Sequence, residues 1–222
     1  MIVVTDLEGT LTAGETWRGL TDYLRHVGRG WAVRRLMMTY TPILLLSRLG
    51  LRRPAKDRLK FMEDLGALTR GWTESEWAEA ARWVVVHALW PARHVRVMTE
   101  LEQARQSGAR VVICSGAFQP LVDAFAAEAG FEAIGTPLAW EDGRATGAVA
   151  APFTFGSMKA KRLRAYLGEV PIDVGYGDTD GDLAMLGLAR QAVIIDHDPV
   201  LRREAETRGW RILTDSQARE AV

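Results

Sequence analysis

Short apolar runs recur along the chain, and most of them end on an acid. They are IVVTD (2–6), RVVICS (110–115), IDVGYGD (172–178), AVIID (192–196) and RILTD (211–215). Their length and β-branched content predict strands. Between them, patterns of helical period cover 94–107, 117–129, 157–168, 180–189 and 199–208, with Gly108 and Gly130 placed as C-caps. Strand and helix in alternation predict an α/β fold, a parallel sheet with helices on both faces. Such sheets bind ligands beyond the carboxyl ends of their strands. Asp6, Ser115 and Asp178 each stand at such an end.

Two stretches break the alternation. Residues 13–90 hold helix formers and no strand pattern, which predicts an all-helical insertion. The expected organisation is a core formed by 1–13 and 91–222 with a helical domain at 14–90, Trp90-Pro91 marking the return. Inside the insertion, Thr73 and Glu76 form a capping box before a helix. The second break, TPLAWEDGRATGAV (136–149), alternates around Asp142-Gly143 and predicts a hairpin. Residues 31–53, WAVRRLMMTYTPILLLSRLGLRR, are apolar with arginine flanks. Only a dozen residues separate Arg35 from Arg48, short of the roughly 20 that span a bilayer. A helix pair packed within the insertion is the favoured reading, and a lipid-facing surface the alternative.

Composition narrows the class without naming a chemistry. At 222 residues the chain suits one large domain or a core with a smaller one inserted. Lysines and arginines number 28, as do the acids, so the whole chain carries no footprint for nucleic acid or an anionic membrane. The single cysteine, Cys114, forms no internal disulfide and reads as an inert strand residue. No basic-then-apolar signal segment opens the chain, so a cytoplasmic location is expected. Oligomeric state is not encoded in any of these features.

The candidate chemistry lies at the strand ends. Phosphoryl transfer to a carboxylate needs a nucleophilic acid, hard oxygen ligands for Mg²⁺, donors for the phosphoryl oxygens and a further acid to move protons. Asp6 suits the nucleophile, Glu8 shares its face if strand geometry persists, and Gly9 permits a close backbone approach. The alternative for this string is a strand end turning into a loop. Ser115-Gly116, ahead of an expected helix, offers a hydroxyl and N–H groups as a phosphate cradle, although Ser-Gly turns are common. Ser157 is placed as a helix cap, with Lys159 and Lys161 in the first turns. Cations there oppose the helix dipole and imply a nearby anion, the alternative being a solvated basic face. Asp178, Asp180 and Asp182 crowd three acids into five residues, which repel unless a cation intervenes.

Taken in order, Asp6-Leu7-Glu8-Gly9-Thr10, Ser115-Gly116, Lys159 and Gly177-Asp178-Thr179-x-x-Asp182 resemble the four motifs of the haloacid dehalogenase superfamily. The resemblance spans residues 1–200, and the helical insertion resembles that of its phosphoserine-phosphatase-like branch. It implies a Rossmann-like core with an inserted α-helical cap, and a phosphatase using Mg²⁺ on a small phosphorylated substrate. Asp6 would become the aspartyl phosphate, and Glu8 would stand where the family usually has aspartate as general acid and base. Ser115 and Gly116 would bind phosphoryl oxygens, and Lys159 would neutralise the phosphate, with Lys161 as the fallback. Asp6, Glu8 (through its carbonyl), Asp178 and Asp182 would hold or orient the metal. Leu7 and Glu15 complete the implied substrate-binding set; Glu15 is equally a helix N-terminal acid favoured by the dipole. The alternatives are a phosphotransferase built on the same intermediate and a receiver-like signalling module, against which the insertion and the Asp6-x-Glu8 pair argue.

Overall fold

The computed structural model describes residues 1–48 and 54–220 of the chain. Strand β1 (Ile2–Thr5) is buried throughout, as a strand enclosed between two helical layers must be. The chain is then helical through α1 (Thr16–His26), α2 (Gly30–Arg48), α3 (Pro54–Ala67) and α4 (Glu74–Val84), which runs on into a π-helical turn at Val85–Leu89. The α/β alternation follows with α5 (Val95–Gln106), β2 (Arg110–Phe118), α6 (Gln119–Ala129) and β3 (Glu132–Thr136). Next come β4 (Leu138–Glu141), β5 (Arg144–Val149), α7 (Ser157–Leu167) and β6 (Ile172–Gly177). The chain closes with α8 (Leu183–Leu186), β7 (Ala189–Ile195), α9 (Pro199–Arg208), β8 (Arg211–Leu213) and α10 (Asp215–Arg219).

The main sheet runs β3-β2-β1-β6-β7-β8, with every pairing parallel. Alternation along each strand feeds two cores. Val3, Val111, Ile113 and Val193 share a core with residues of α5, α6 and α10, whereas Ile2, Val4, Val112, Cys114 and Ile194 face α7, α8 and α9. From β1 the chain goes to β2 and β3 on one side and to β6, β7 and β8 on the other. The strand order therefore reverses beside β1, which opens a crevice at the carboxyl ends of β1, β2 and β6.

The insertion is anchored over that crevice. Trp77 on α4 is buried, its ring 5.8 Å from that of Phe118 at the end of β2 and 5.4 Å from that of Trp72. The β4–β5 hairpin extends the contact: Gly71 N–H donates to the Ala145 carbonyl and Ala145 N–H to that of Trp72, both at 2.8 Å. Its turn has positive φ at Asp142 and Gly143, 49° and 73°, the primed geometry that suits the twist of a hairpin.

The α/β sheet, the helical insertion and the hairpin agree with the sequence pattern, and the departures have local causes. Strand β3 escaped it because EAIGT is a half-polar edge run broken by Gly135, where an added Cβ would lie 2.7 Å from Gln119 Cα. The helix expected at 117–129 begins at Gln119, because β2 runs on to Phe118 through an irregular register. The helix expected at 180–189 reduces to a 3₁₀ turn at Asp180–Asp182 and the single turn of α8, since Ala189 already pairs with Ile172. The run 211–215 stops as a strand at Leu213, where Thr214 caps α10. Ser157 does not cap α7; Gly156, at φ 57°, occupies that position. Of the apolar stretch 31–53, residues 49–53 lie outside the described residues. No described helix is long and apolar enough to cross a membrane.

The capping box on α4 is formed: Thr73 N–H donates to Glu76 Oε2 at 2.7 Å, and Glu76 N–H to Thr73 Oγ1 at 3.3 Å. Thr73→Ala is expected to cost about 1 kcal/mol, which lowers Tm by roughly 2–4 °C in a thermal melt followed by circular dichroism.

Candidate active site

The crevice collects side chains from four separated segments. Asp6 is the first residue beyond β1, and its N–H still donates to the Tyr176 carbonyl at 3.0 Å, which fixes it beside β6. Asp178 follows the last residue of β6, and Asp182 closes the 3₁₀ turn after it. The three carboxylates each bring an oxygen within 4.8 Å of the others, and all three residues are buried. Lys159 enters from the first turn of α7 and is only 3% exposed. Its ammonium lies 2.6 Å from Asp6 Oδ1 and 2.5 Å from Asp182 Oδ1.

Each acid has a distinct set of partners. Asp182 has both oxygens engaged, since Oδ2 accepts from the N–H groups of Asp178 and Thr179 at 3.0 and 3.1 Å. Asp178 is approached by Thr10 Oγ1 at 3.4 Å and by His197 Nδ1 at 3.5 Å. His197 Nε2 in turn lies 3.2 Å from Asp215 Oδ1. Glycines allow the crowding. A Cβ on Gly9, at φ 80°, would fall 1.9 Å from Asp178 Oδ2, and one on Gly177 would fall 2.7 Å from Asp182 Cβ.

Three carboxylates around one ammonium leave excess negative charge out of water. Burial, then the charges of Asp182 and Asp178, push the Asp6 carboxyl up to about 8, against the pull of Lys159. Burial also raises Asp178, opposed by its bond to His197. Burial alone would lower Lys159, but Asp182 and Asp6 outweigh it and hold the ammonium above its ordinary range. Burial likewise raises the Cys114 thiol, whose sulfur lies 3.7 Å from the Lys159 carbonyl.

The remaining sequence-predicted residues fall into two groups. Ser115 is buried on β2, and its Oγ accepts from Ala117 N–H at 3.3 Å. With Gly116 it sits on the irregular end of β2 ahead of α6, not at the helix N-terminus expected from the sequence. Glu8 lies outside the three-acid cluster; its Oε1 accepts from both the N–H and the hydroxyl of Thr16 at the start of α1. Leu7 is fully buried, and it packs in the core. Glu15 pairs with Arg18. Lys161 and Asp180 are exposed, outside the cluster. Thr10 stands in the first motif without a role of its own, and Thr16 and His197 escape the sequence reading. The DHDP string at 196–199 shows a histidine among acids, but nothing in it ties that ring to Asp178.

The raised Asp6 carboxyl has a consequence for stability. Its folded value, about 8, exceeds the ordinary 3.8, so folding binds a proton that the unfolded chain releases. That contribution is complete below pH 3.8 and is lost as pH rises through about 8. In EDTA, Asp6→Asn is therefore expected to flatten the fall of Tm between pH 5 and pH 8 and to raise Tm at pH 8, measured by scanning calorimetry.

The geometry has counterparts. Over 115 residues the chain is 33% identical to a probable phosphatase of Mycobacterium tuberculosis, a match that covers 50% of this chain and 40% of that protein. A Bordetella pertussis protein of unknown function superposes with a TM-score of 0.79 at 19% identity, covering 96% of this chain and 97% of the other. A phosphoserine phosphatase in its apo form superposes with a TM-score of 0.63 at 16% identity, covering 97% and 94%. Residues 3–187 match the haloacid dehalogenase-like hydrolases, and the chain belongs to that family.

Proposed function

We propose that this chain is a Mg²⁺-dependent phosphomonoester hydrolase that forms an aspartyl phosphate on Asp6, with a small phosphorylated molecule as substrate. The observation that carries this reading is the buried cluster of Asp6, Asp178 and Asp182 around Lys159. The donors are hard oxygens with a net negative charge, which fits Mg²⁺. Asp6 and Asp178 are its ligands in this reading; Asp182, with both oxygens engaged, orients them. When bound, Mg²⁺ neutralises carboxylate charge and polarises the phosphoryl oxygens.

The chain's own residues then divide the work. Asp6 attacks phosphorus, forming a new O–P bond as the bond to the alkoxide breaks, and Glu8 gives the alkoxide its proton. Glu8 next takes a proton from water, which attacks the same phosphorus and releases Asp6. Lys159 holds Asp6 in line and balances the phosphoryl charge. The Ser115 hydroxyl accepts from Ala117 N–H, so its proton is available to a phosphoryl oxygen, and Gly116 N–H serves another. Helices within 14–90 cover the crevice as a cap, and Trp77 against Phe118 helps to seat them. The names of the relatives, a probable phosphatase and a phosphoserine phosphatase, support the reaction class. Glu15 is paired with Arg18, so this acid gives phosphoserine no particular support. Transfer of the phosphoryl group to an alcohol remains the second reading, and product analysis with added alcohol separates the two.

Hydrolysis of p-nitrophenyl phosphate with Mg²⁺ is expected, and Asp6→Asn should remove it; turnover by that variant at the wild-type rate would exclude Asp6 as nucleophile. Thr16→Val should loosen the Glu8 carboxyl. A displacement of about 1 Å costs on the order of 100-fold, so kcat should fall between about tenfold and 100-fold while KM changes little. Steady-state kinetics with both variants read these outcomes.

A further inference from the structure

Helix α2 has two apolar faces where a cap helix needs one. Val33, Leu36 and Tyr40 are buried against the neighbouring helices. Seven residues apart on the opposite side, Trp31 and Met38 are 71% and 68% exposed. At 100° per residue they share one line along the helix with Pro42, which is also exposed. Arg34 and Arg35 flank that line, both exposed, and among the described residues neither makes an ion pair. The favoured packing of this segment therefore accounts for its inner face and leaves the outer one unexplained.

Charge identifies what covers that face. From Tyr23 to Lys56 the sequence has eight lysines and arginines and no acid, although the whole chain has 28 of each sign. Local charge this one-sided repels a second copy seated on the same face. It attracts a surface of phosphates, and each guanidinium near such a surface strengthens binding. An exposed indole and thioether between arginines is the pattern of a helix lying in the headgroup layer, its apolar line at the acyl boundary. No described helix is long and apolar enough to cross a bilayer.

We infer that α2 docks this protein on an anionic phospholipid surface, with Trp31 and Met38 inserted and Arg34 and Arg35 on lipid phosphates. The docking face is separate from Asp6 and its cluster, and the inference does not depend on the phosphatase reading.

Co-sedimentation of the full chain with phosphatidylcholine vesicles, with and without phosphatidylglycerol, tests it. Binding should require phosphatidylglycerol and weaken as salt is added. R34E/R35E should weaken it by about tenfold or more, as two reversed charges demand. W31A/M38A should also weaken it, while both variants keep the wild-type Tm. Three results would overturn the inference. One is the absence of binding to the anionic vesicles, which would leave a protein partner for this face. Another is binding that neither double variant alters. The third is a dimer in sedimentation velocity that W31A/M38A dissolves.

Discussion

One buried ammonium, Lys159, holds the centre of this molecule together. It reaches Asp6 from β1 and Asp182 from the turn after β6, and neither contact is exposed to water. Carboxylates so close repel strongly where the local dielectric is low, and a single positive charge does not balance three negative ones. The site is therefore poised, kept together by Lys159 and by the backbone N–H groups that hold Asp182, yet short of positive charge. Such a deficit costs stability in the free protein and favours whatever cation enters.

The fold delivers these groups by topology. Parallel strands end at one edge, and the reversal of order beside β1 opens that edge at the junction of β1, β2 and β6. Glycine at 9 and at 177 lets backbone pass within contact of the carboxylates. The helical insertion closes over the same edge, tied to β2 through Trp77 and Phe118 and to the hairpin through Trp72 and Ala145.

Much of this was legible in the chain. An apolar run ending in an acid is a strand that delivers a carboxylate, and Asp6, Asp178 and Asp182 meet as that pattern requires. The hairpin at Asp142-Gly143 and the capping box at Thr73 were readable because each is a local rule with few competing solutions. The illegible parts depend on distant partners. The start of β7 at Ala189 is set by pairing with Ile172, and β3 exists because β2 offers it an edge. Thr16 meets Glu8, and His197 meets Asp178, only through the fold, so no spacing announces them. The outer face of α2 is a further case. Its residues are plain in the sequence, but which side of the helix they occupy becomes visible only once Leu36 and Tyr40 are seen buried.

The central claim is that Lys159 and three carboxylates form a seat in which Asp6 takes a phosphoryl group. The most direct measurement is borohydride trapping of the enzyme, acid-quenched during turnover of p-nitrophenyl phosphate with Mg²⁺, followed by peptide mass spectrometry. The account predicts a reduced aspartyl residue at position 6, absent when Mg²⁺ is withheld and absent in Lys159→Ala. Sustained turnover with Asp6 unmodified, or with the mark on another residue, would contradict it.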